Sequence, residues 1–237
     1  GKCYFCKEKI SIQYPIVELL TMFLFGATFV KFGINIKTIF VLFWLSCFVI
    51  MTGTDLKAKL VDCNIAIATG VTGVLYNFIQ HGVSGVIASL IGLVLGAVVL
   101  ELIARSGYLV AGTRAMGEAD TYVAAAIGAI VGKDILYVLA YALIASMIFI
   151  VPMFLYNQFK NDNKKTCILS ILFVLAVMTF KLLWQNYWTL AALMITGAML
   201  AISILKNIKQ EENRNYLPYV PALAVGALYY LFFSVNF

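Results

Sequence analysis

The stretch Gly117–Val131, GEADTYVAAAIGAIV, combines an acid with a run of small apolar residues. Asp120 stands at the mouth of the run, and Ala124, Gly128 and Gly132 follow it at intervals of four residues. Residues spaced by four lie on one stripe of a helix. A carboxylate at the edge of hydrocarbon is costly and is usually functional. The stretch therefore predicts a membrane helix with an important acid at its start.

The composition extends this interpretation to the whole chain. Of its 237 residues, 63% are hydrophobic and 12% are charged, whereas soluble domains carry about 25% charged residues. Apolar segments recur at nearly the length, about 20 residues, that a helix needs to cross a bilayer. The sequence predicts an all-α, polytopic membrane helix bundle that forms a single domain over 1–237, with a cytoplasmic N-terminal segment at 1–14. About nine transmembrane helices are expected, at 15–30, 36–53, 63–79, 84–104, 120–132, 135–156, 166–183, 188–205 and 217–236.

Lysine and arginine predict which side of the membrane each connection faces. The alternation of nine segments places thirteen of the 17 basic residues on one side, and the richer side is expected to be cytoplasmic. Asp55 and Asp120 are therefore predicted to lie on the cytoplasmic side of the membrane and His81 on the far side. The cytoplasmic set is Lys2, Lys7, Lys9, Lys57, Lys59, Arg105, Arg114, Lys160, Lys164, Lys165, Lys206, Lys209 and Arg214, and the far set is Lys31, Lys37, Lys133 and Lys181.

A second stripe of small residues is formed by Ala88, Gly92 and Gly96. Small faces let membrane helices approach closely, so ordinary helix packing is the simpler interpretation of this stripe. For the stripe that begins at Asp120, two interpretations stay open. It either packs a helix closely or also holds the acid against a neighbouring helix.

Asp55 ends another apolar segment and is the candidate partner of Asp120. Two neighbouring carboxylates cannot both stay ionised, so one can take a proton from water while the other polarises a carbonyl group. This is the requirement of an aspartic protease. Each acid also has a simpler interpretation as a helix-end or capping residue. Asp62 is a rival for Asp55, and Glu118 is a rival for Asp120.

Other site chemistries find little support. His81 is the only histidine and lies across the predicted membrane from the acids, which disfavours a Ser/His/Asp triad. Phosphate-binding glycine loops are absent, and the scattered basic residues predict no nucleic-acid partner. Five cysteines, an odd number, disfavour a disulfide framework. Cys3 and Cys6 form a single CxxC, which is half of a zinc site, so a reduced cytoplasmic pair is expected.

Four stretches, in this order, resemble the type IV prepilin peptidases, membrane aspartic proteases with a Gly-x-Gly-Asp motif that are related to the preflagellin peptidases. The likeness covers most of the chain up to about residue 156, and its end. The stretches are Cys3-x-x-Cys6 followed by Ile10–Glu18, Asp55-Leu56-Lys57, Met116–Asp120 continuing through Ala125–Ala129, and Leu217–Leu223.

The resemblance implies that Asp55 and Asp120 are the catalytic pair and that Gly117, Glu118 and Ala119 form the motif loop. It implies pilin-like precursor proteins as substrates, cut on the cytoplasmic side, and membrane lipid as the surroundings. Proteolysis would require no cofactor, and S-adenosylmethionine would bind only if the methylation found in many members is retained. The family's usual first span and first cysteine pair are not seen before Cys3, so neither zinc binding nor methylation is expected.

Two departures from the family pattern affect the interpretation. Ala119 replaces the second glycine of the motif, and alanine resists the positive φ that glycine tolerates. The segments within 166–205 look like a two-helix addition, which keeps the last segment on the same side. Two alternatives stay open, a polytopic transporter or channel and a catalytically inactive family member that acts as an assembly scaffold.

Overall fold

The computed structural model describes residues 4–6, 8, 11–111, 114, 116–146, 168, 172 and 219–234, and their regular structure is helical throughout. A 3-10 turn, Gly132–Asp134, joins the fourth helix to the fifth. Four helical stretches are long and apolar enough to cross a membrane, and the last described helix, Val220–Phe233, is a shorter apolar one. The helices are α1 (Gln13–Phe32), α2 (Ile36–Ala58), α3 (Cys63–Ala111), α4 (Glu118–Val131), α5 (135–146) and α6 (Val220–Phe233).

The predicted all-α membrane fold is thus confirmed, whereas the number of nine spans stays a prediction. The segments predicted at 166–183 and 188–205 lie outside the described residues, apart from 168 and 172. The predicted single domain over 1–237 also stays a prediction.

Two glycines divide the long helical stretches at the places where the sequence predicts loops. Gly82 interrupts α3 with φ 61° and ψ −141°, and Gly132 ends α4 with φ 65° and ψ −143°. Glycine adopts positive φ without the steric penalty of a side chain. The Asn77 side-chain amide donates a hydrogen bond of 2.8 Å to the Ser89 hydroxyl. Because twelve residues of unbroken helix span about 18 Å, this contact means that the chain folds back at Gly82.

The two predicted stripes of small residues lie against each other. A Cβ atom added at Gly92 would overlap the carbonyl oxygens of Gly128 and Gly132, and one added at Gly96 would lie 2.5 Å from the carbonyl oxygen of Ala124. The second half of α3 and helix α4 therefore meet backbone to backbone. Such close approach requires residues without bulky side chains, so the packing interpretation of both stripes is confirmed.

Helix α6 packs against α2 and α4 and connects the two ends of this bundle. Its first residue, Val220, contacts Asp55. Near its last turn, the Phe232 ring lies 5.9 Å from the Phe32 ring at the end of α1. We call the end with Asp55, Asp120 and Tyr219 the acid end, and the opposite end, with Phe32 and Phe232, the far end.

The chain divides into two compact units. The first consists of Gly1–Leu102, Gly117–Leu143 and Pro218–Phe237, and it contains both candidate acids. The second consists of Ile103–Met116 and Ile144–Leu217. Its described residues are the end of α3, residues 114 and 116, the end of α5, and residues 168 and 172.

Candidate active site

Asp55 lies inside the last turn of α2, because the helix continues to Ala58 and not to residue 53 as predicted. The helix ends at Lys59, which adopts the left-handed conformation (φ 54°) and donates its backbone N–H to the Asp55 carbonyl oxygen at 2.9 Å. The Asp55 side chain is only 6% exposed. A buried carboxylate needs hydrogen-bond donors, and the backbone N–H of Val220 supplies one to Oδ2 at 3.1 Å.

Asp120 is the third residue of α4 and is 7% exposed. Its Oδ2 accepts a hydrogen bond of 3.0 Å from the backbone N–H of Gly117, the residue that caps the helix. The first amides of a helix have no partner within the helix, and a carboxylate in the first turn also interacts favourably with the helix dipole. The local structure therefore explains both the position of Asp120 and its orientation.

The residues Tyr219 and Val220, adjacent in the chain, relate the two acids to each other. Val220 donates its N–H to Asp55 across 165 residues of sequence. Tyr219 is 4% exposed, and its burial, together with the nearby Asp120 carboxylate, raises its pKa to about 12. The start of α6 thus contacts Asp55 and lies within electrostatic range of Asp120. The two acids therefore lie at the same end of the bundle.

The motif loop does not require glycine at its second position. Ala119 lies within α4, and Lys59 is the only described residue other than glycine with a positive φ. Gly117 has an extended backbone (φ −65°, ψ 156°) that any residue can adopt. Glu118, the first residue of α4, is exposed. The predicted conflict between Ala119 and a strained loop therefore does not arise.

Asp62, the rival of Asp55, has a structural role. It is exposed, and its Oδ1 accepts a hydrogen bond of 2.9 Å from the backbone N–H of Asn64 in the first turn of α3. This is the geometry of an N-cap. His81 is exposed next to the break at Gly82.

Cys6 is an exposed free thiol, and its predicted partner Cys3 lies outside the described residues. Within the described part of the chain, no group of three or more His, Cys, Asp or Glu side chains is placed to hold a metal ion. The expectations about zinc and S-adenosylmethionine stay predictions.

Sequence reasoning singled out Leu217–Leu223 only as a likeness and did not place Tyr219 and Val220 beside the acids. The available signal was the Pro-x-x-Pro pattern of Pro218 and Pro221. Proline is common in the first turn of a helix, and it marked where α6 begins. The sequence held no signal for the long-range contact between Val220 and Asp55.

Comparison with known proteins identifies two matching families. Residues 1–32 match the bacterial peptidase A24 N-terminal domain. Residues 40–155 match the type IV leader peptidase family. The second range includes Asp55, the motif loop and Asp120. No solved structure matches the chain.

Individual relatives agree with these matches. The chain is 30% identical over 141 residues to a prepilin leader peptidase/N-methyltransferase of Neisseria gonorrhoeae, a match that covers 60% of the chain and 49% of the relative. It is 33% identical over 153 residues to a protein of the same description from Xanthomonas campestris, covering 62% of the chain and 50% of the relative. The chain thus spans about half the length of these curated relatives.

Proposed function

The chain belongs to the type IV leader peptidase family, and from this we propose that it is a membrane aspartic endopeptidase that removes the leader of pilin-like precursors. Asp55 and Asp120 are its proposed catalytic pair. The observation that supports this most is the position of Tyr219 and Val220, because one helix start contacts Asp55 and lies close to Asp120. Burial of both acids fits a role in activating water.

In the proposed reaction, the two carboxylates hold one proton between them. The ionised aspartate accepts a proton from a water molecule, whose oxygen attacks the scissile carbonyl carbon. The protonated aspartate donates its proton to the carbonyl oxygen. As the tetrahedral intermediate collapses, the aspartate that took the proton from water gives it to the amide nitrogen, and the C–N bond breaks. The other aspartate takes a hydroxyl proton from the intermediate, so the leader leaves with a new carboxyl end, the mature protein has a new amino terminus, and the pair again holds one proton. Val220 supports this chemistry by fixing the orientation of the Asp55 carboxylate.

The apolar helices and the family make the chain a multi-pass membrane protein. We further propose that it lies in the plasma membrane with the acid end facing the cytoplasm, since the basic residues are concentrated in the connections on that side. Asp55 in the last turn of α2 and Asp120 in the first turn of α4 fit a reaction near the membrane surface. A transporter would instead be expected to carry acids near the middle of its helices.

The test is cleavage of a pilin-type precursor by the full chain, purified and returned to lipid vesicles. Cleavage between leader and mature protein supports the proposal. A folded protein that binds the precursor and leaves it intact would instead support the assembly scaffold. Transfer of label from S-adenosylmethionine to the product would show that methylation is retained.

Replacing Tyr219 with Phe should lower kcat roughly tenfold and leave KM nearly unchanged. The substitution keeps the buried ring and removes a hydroxyl that lies within electrostatic range of Asp120 and that we expect to donate a hydrogen bond to the oxyanion that develops on the bound carbonyl. Loss of a hydrogen bond to a charged group is worth about 1.5–3 kcal/mol, and about 1.4 kcal/mol corresponds to tenfold in rate. Steady-state cleavage kinetics of the precursor would measure both constants.

The matched control is Tyr76→Phe, which also removes a hydroxyl from a buried tyrosine. Tyr76 is 6% exposed and packs against Trp44 and Phe40, away from the acid end. Its variant should lose some thermal stability but no kcat. Equal losses of kcat in the two variants would mean that the Tyr219 hydroxyl has only a structural role.

Ala119→Gly should be tolerated, with cleavage within about twofold of the original protein. The position is helical and gains nothing from the freedom of glycine, whose cost within a helix is about 1 kcal/mol or less relative to alanine. Cleavage rate and thermal unfolding midpoint would be measured together. An inactive but folded Ala119→Gly protein would contradict the helical description of this loop.

A further inference from the structure

An aromatic cleft opens at the far end of the first unit, on the side of the molecule opposite the acids. Its volume is about 260 Å³, and residues of the Gly132–Asp134 turn, α5 and α6 line it. We call it the tyrosine cleft and define it by Asp134, Tyr137, Tyr141, Tyr229 and Phe233. The proposed protease mechanism uses none of these residues.

One wall of the tyrosine cleft is a carboxylate held in a fixed position. The hydroxyl of Tyr230, which is 5% exposed, donates a hydrogen bond of 2.6 Å to Oδ2 of Asp134. Asp134 itself is only partly buried. A carboxylate has about four acceptor sites, so this bond orients Asp134 and leaves it capacity for a further donor.

The other walls are aromatic rings. The Tyr141 and Tyr229 ring centroids lie 4.5 Å apart, and those of Tyr229 and Phe233 lie 5.0 Å apart. The faces of such rings attract cations, and groups of them bind substituted ammonium ions. Tyr137 and Phe233 are 63% and 70% exposed, so the rim of the cleft is accessible within the described structure.

Two rings at the far end, Phe32 of α1 and Phe232 of α6, illustrate the same chemistry with cations from the chain itself. The Lys31 ammonium lies 5.3 Å from the Phe32 ring centroid and 5.9 Å from that of Phe232. The Lys37 ammonium lies 4.7 Å from the Phe32 centroid. None of the described residues that line the tyrosine cleft is basic. The described lining thus supplies a carboxylate and aromatic rings without a cation of its own.

We propose that the tyrosine cleft binds an organic ammonium group, with Asp134 supplying the charge and the rings of Tyr141, Tyr229 and Phe233 supplying the contact surface. The ammonium group can come from a membrane-lipid headgroup or from a free amine in solution. The cleft lies where α5 begins and α6 ends, so we expect it at the depth of the lipid headgroups. This site is independent of the proposed proteolysis.

The first arm of the test uses tetramethylammonium as the probe and the full chain in a detergent that carries no amine. Binding is followed by saturation-transfer NMR on the methyl protons, with sodium chloride at equal ionic strength as the reference. The original protein should show a saturable signal. Asp134→Asn, which removes the charge but keeps an acceptor for Tyr230, should weaken binding about tenfold or more. A signal that does not saturate, or that is equal in Asp134→Asn, would overturn the proposal for free ammonium ions.

Further variants distinguish the effect of losing the aromatic ring from an effect on folding. Tyr229→Phe keeps the ring and should bind as the original protein does, whereas Tyr229→Leu should lose most of the binding at an unchanged unfolding midpoint. Asp55→Asn should bind normally, so failure of the protease proposal would leave this result unaffected. Equal binding by Tyr229→Leu and Tyr229→Phe would mean that the aromatic rings do not contribute to binding and would contradict that part of the proposal.

The second arm identifies the source. The full chain is placed in bilayers of phosphatidylglycerol alone or mixed with phosphatidylethanolamine, and the lipids retained after extraction are counted by mass spectrometry. Retention of phosphatidylethanolamine that Asp134→Asn abolishes and tetramethylammonium displaces identifies a lipid headgroup. Tetramethylammonium binding without such retention identifies a free amine. If neither probe binds, the proposal is wrong and the tyrosines serve only as an interfacial belt.

Discussion

Asp55→Asn and Asp120→Asn should each lower the rate of leader cleavage by about 10³-fold or more. An amide can neither accept the proton of the attacking water nor donate one to the scissile carbonyl, and such proton transfers are typically worth 10²–10⁴-fold. The shape of each side chain is kept, and the Oδ1 atom of asparagine can still accept the hydrogen bond from Val220 or Gly117. The rate would be measured with a pilin-type precursor in vesicles under single-turnover conditions.

Asp62→Asn is the matched control for this pair, because it makes the same chemical change to an exposed acid. Asp62 caps α3 through its hydrogen bond with Asn64, and asparagine caps helices as well as aspartate does. Its cleavage rate should therefore stay close to that of the original protein. A near-normal rate in either Asp55→Asn or Asp120→Asn would refute the assignment, and loss of cleavage in Asp62→Asn would transfer the role to that residue.

Gly128→Ala should lower the free energy of unfolding by about 1–3 kcal/mol, the typical cost of an extra methyl group in a tightly packed core. The added Cβ would overlap the backbone carbonyl oxygen of Gly92 in the facing half of α3. Backbone atoms cannot move aside as a flexible side chain can, so the two helices must separate. Thermal unfolding in detergent, followed by circular dichroism, would measure the shift.

Gly26→Ala provides the control for a change of glycine to alanine within a helix. Gly26 lies in the interior of α1, is exposed, and a Cβ atom there would meet no other atom within 4 Å. Its variant should be unchanged or more stable by about 0.5–1 kcal/mol, because alanine favours helix. A Gly128→Ala protein as stable as Gly26→Ala would mean that α3 and α4 do not approach as closely as described.

Much of the fold could be predicted from the sequence because hydrocarbon imposes simple constraints. The length of the apolar segments predicts membrane helices, since backbone N–H and C=O groups in hydrocarbon must be hydrogen-bonded within each segment. Small residues repeated every four positions predicted two close-packing faces, and both are found in contact between Gly92 and Gly128. The break at Gly82 falls between two predicted segments, and the break at Gly132 falls at the last residue of the segment predicted at 120–132.

Helix α2 extends beyond the apolar segment predicted at 36–53, because hydropathy and helix formation are different properties. The apolar run stops near Gly53, and Thr54, Asp55 and Lys57 follow it. The backbone nevertheless continues as helix to Ala58, since these residues carry no proline and the last turn closes on Lys59. Asp55 is therefore a buried helical residue, where hydropathy placed it at a boundary.

The sequence by itself determined that the chain is a helical membrane protein, which acids are candidates, and which stripes of small residues let helices meet. These features depend on composition and on the spacing of residues within single helices. Only the tertiary structure decided that the start of α6 lies beside α2 and α4, with Val220 bonded to Asp55 and Tyr219 close to Asp120. It also brought Tyr229 of α6 beside Tyr141 and Asp134 in a cleft. Contacts between residues about 90 or more positions apart depend on how helices pack, and no local periodicity carries that information.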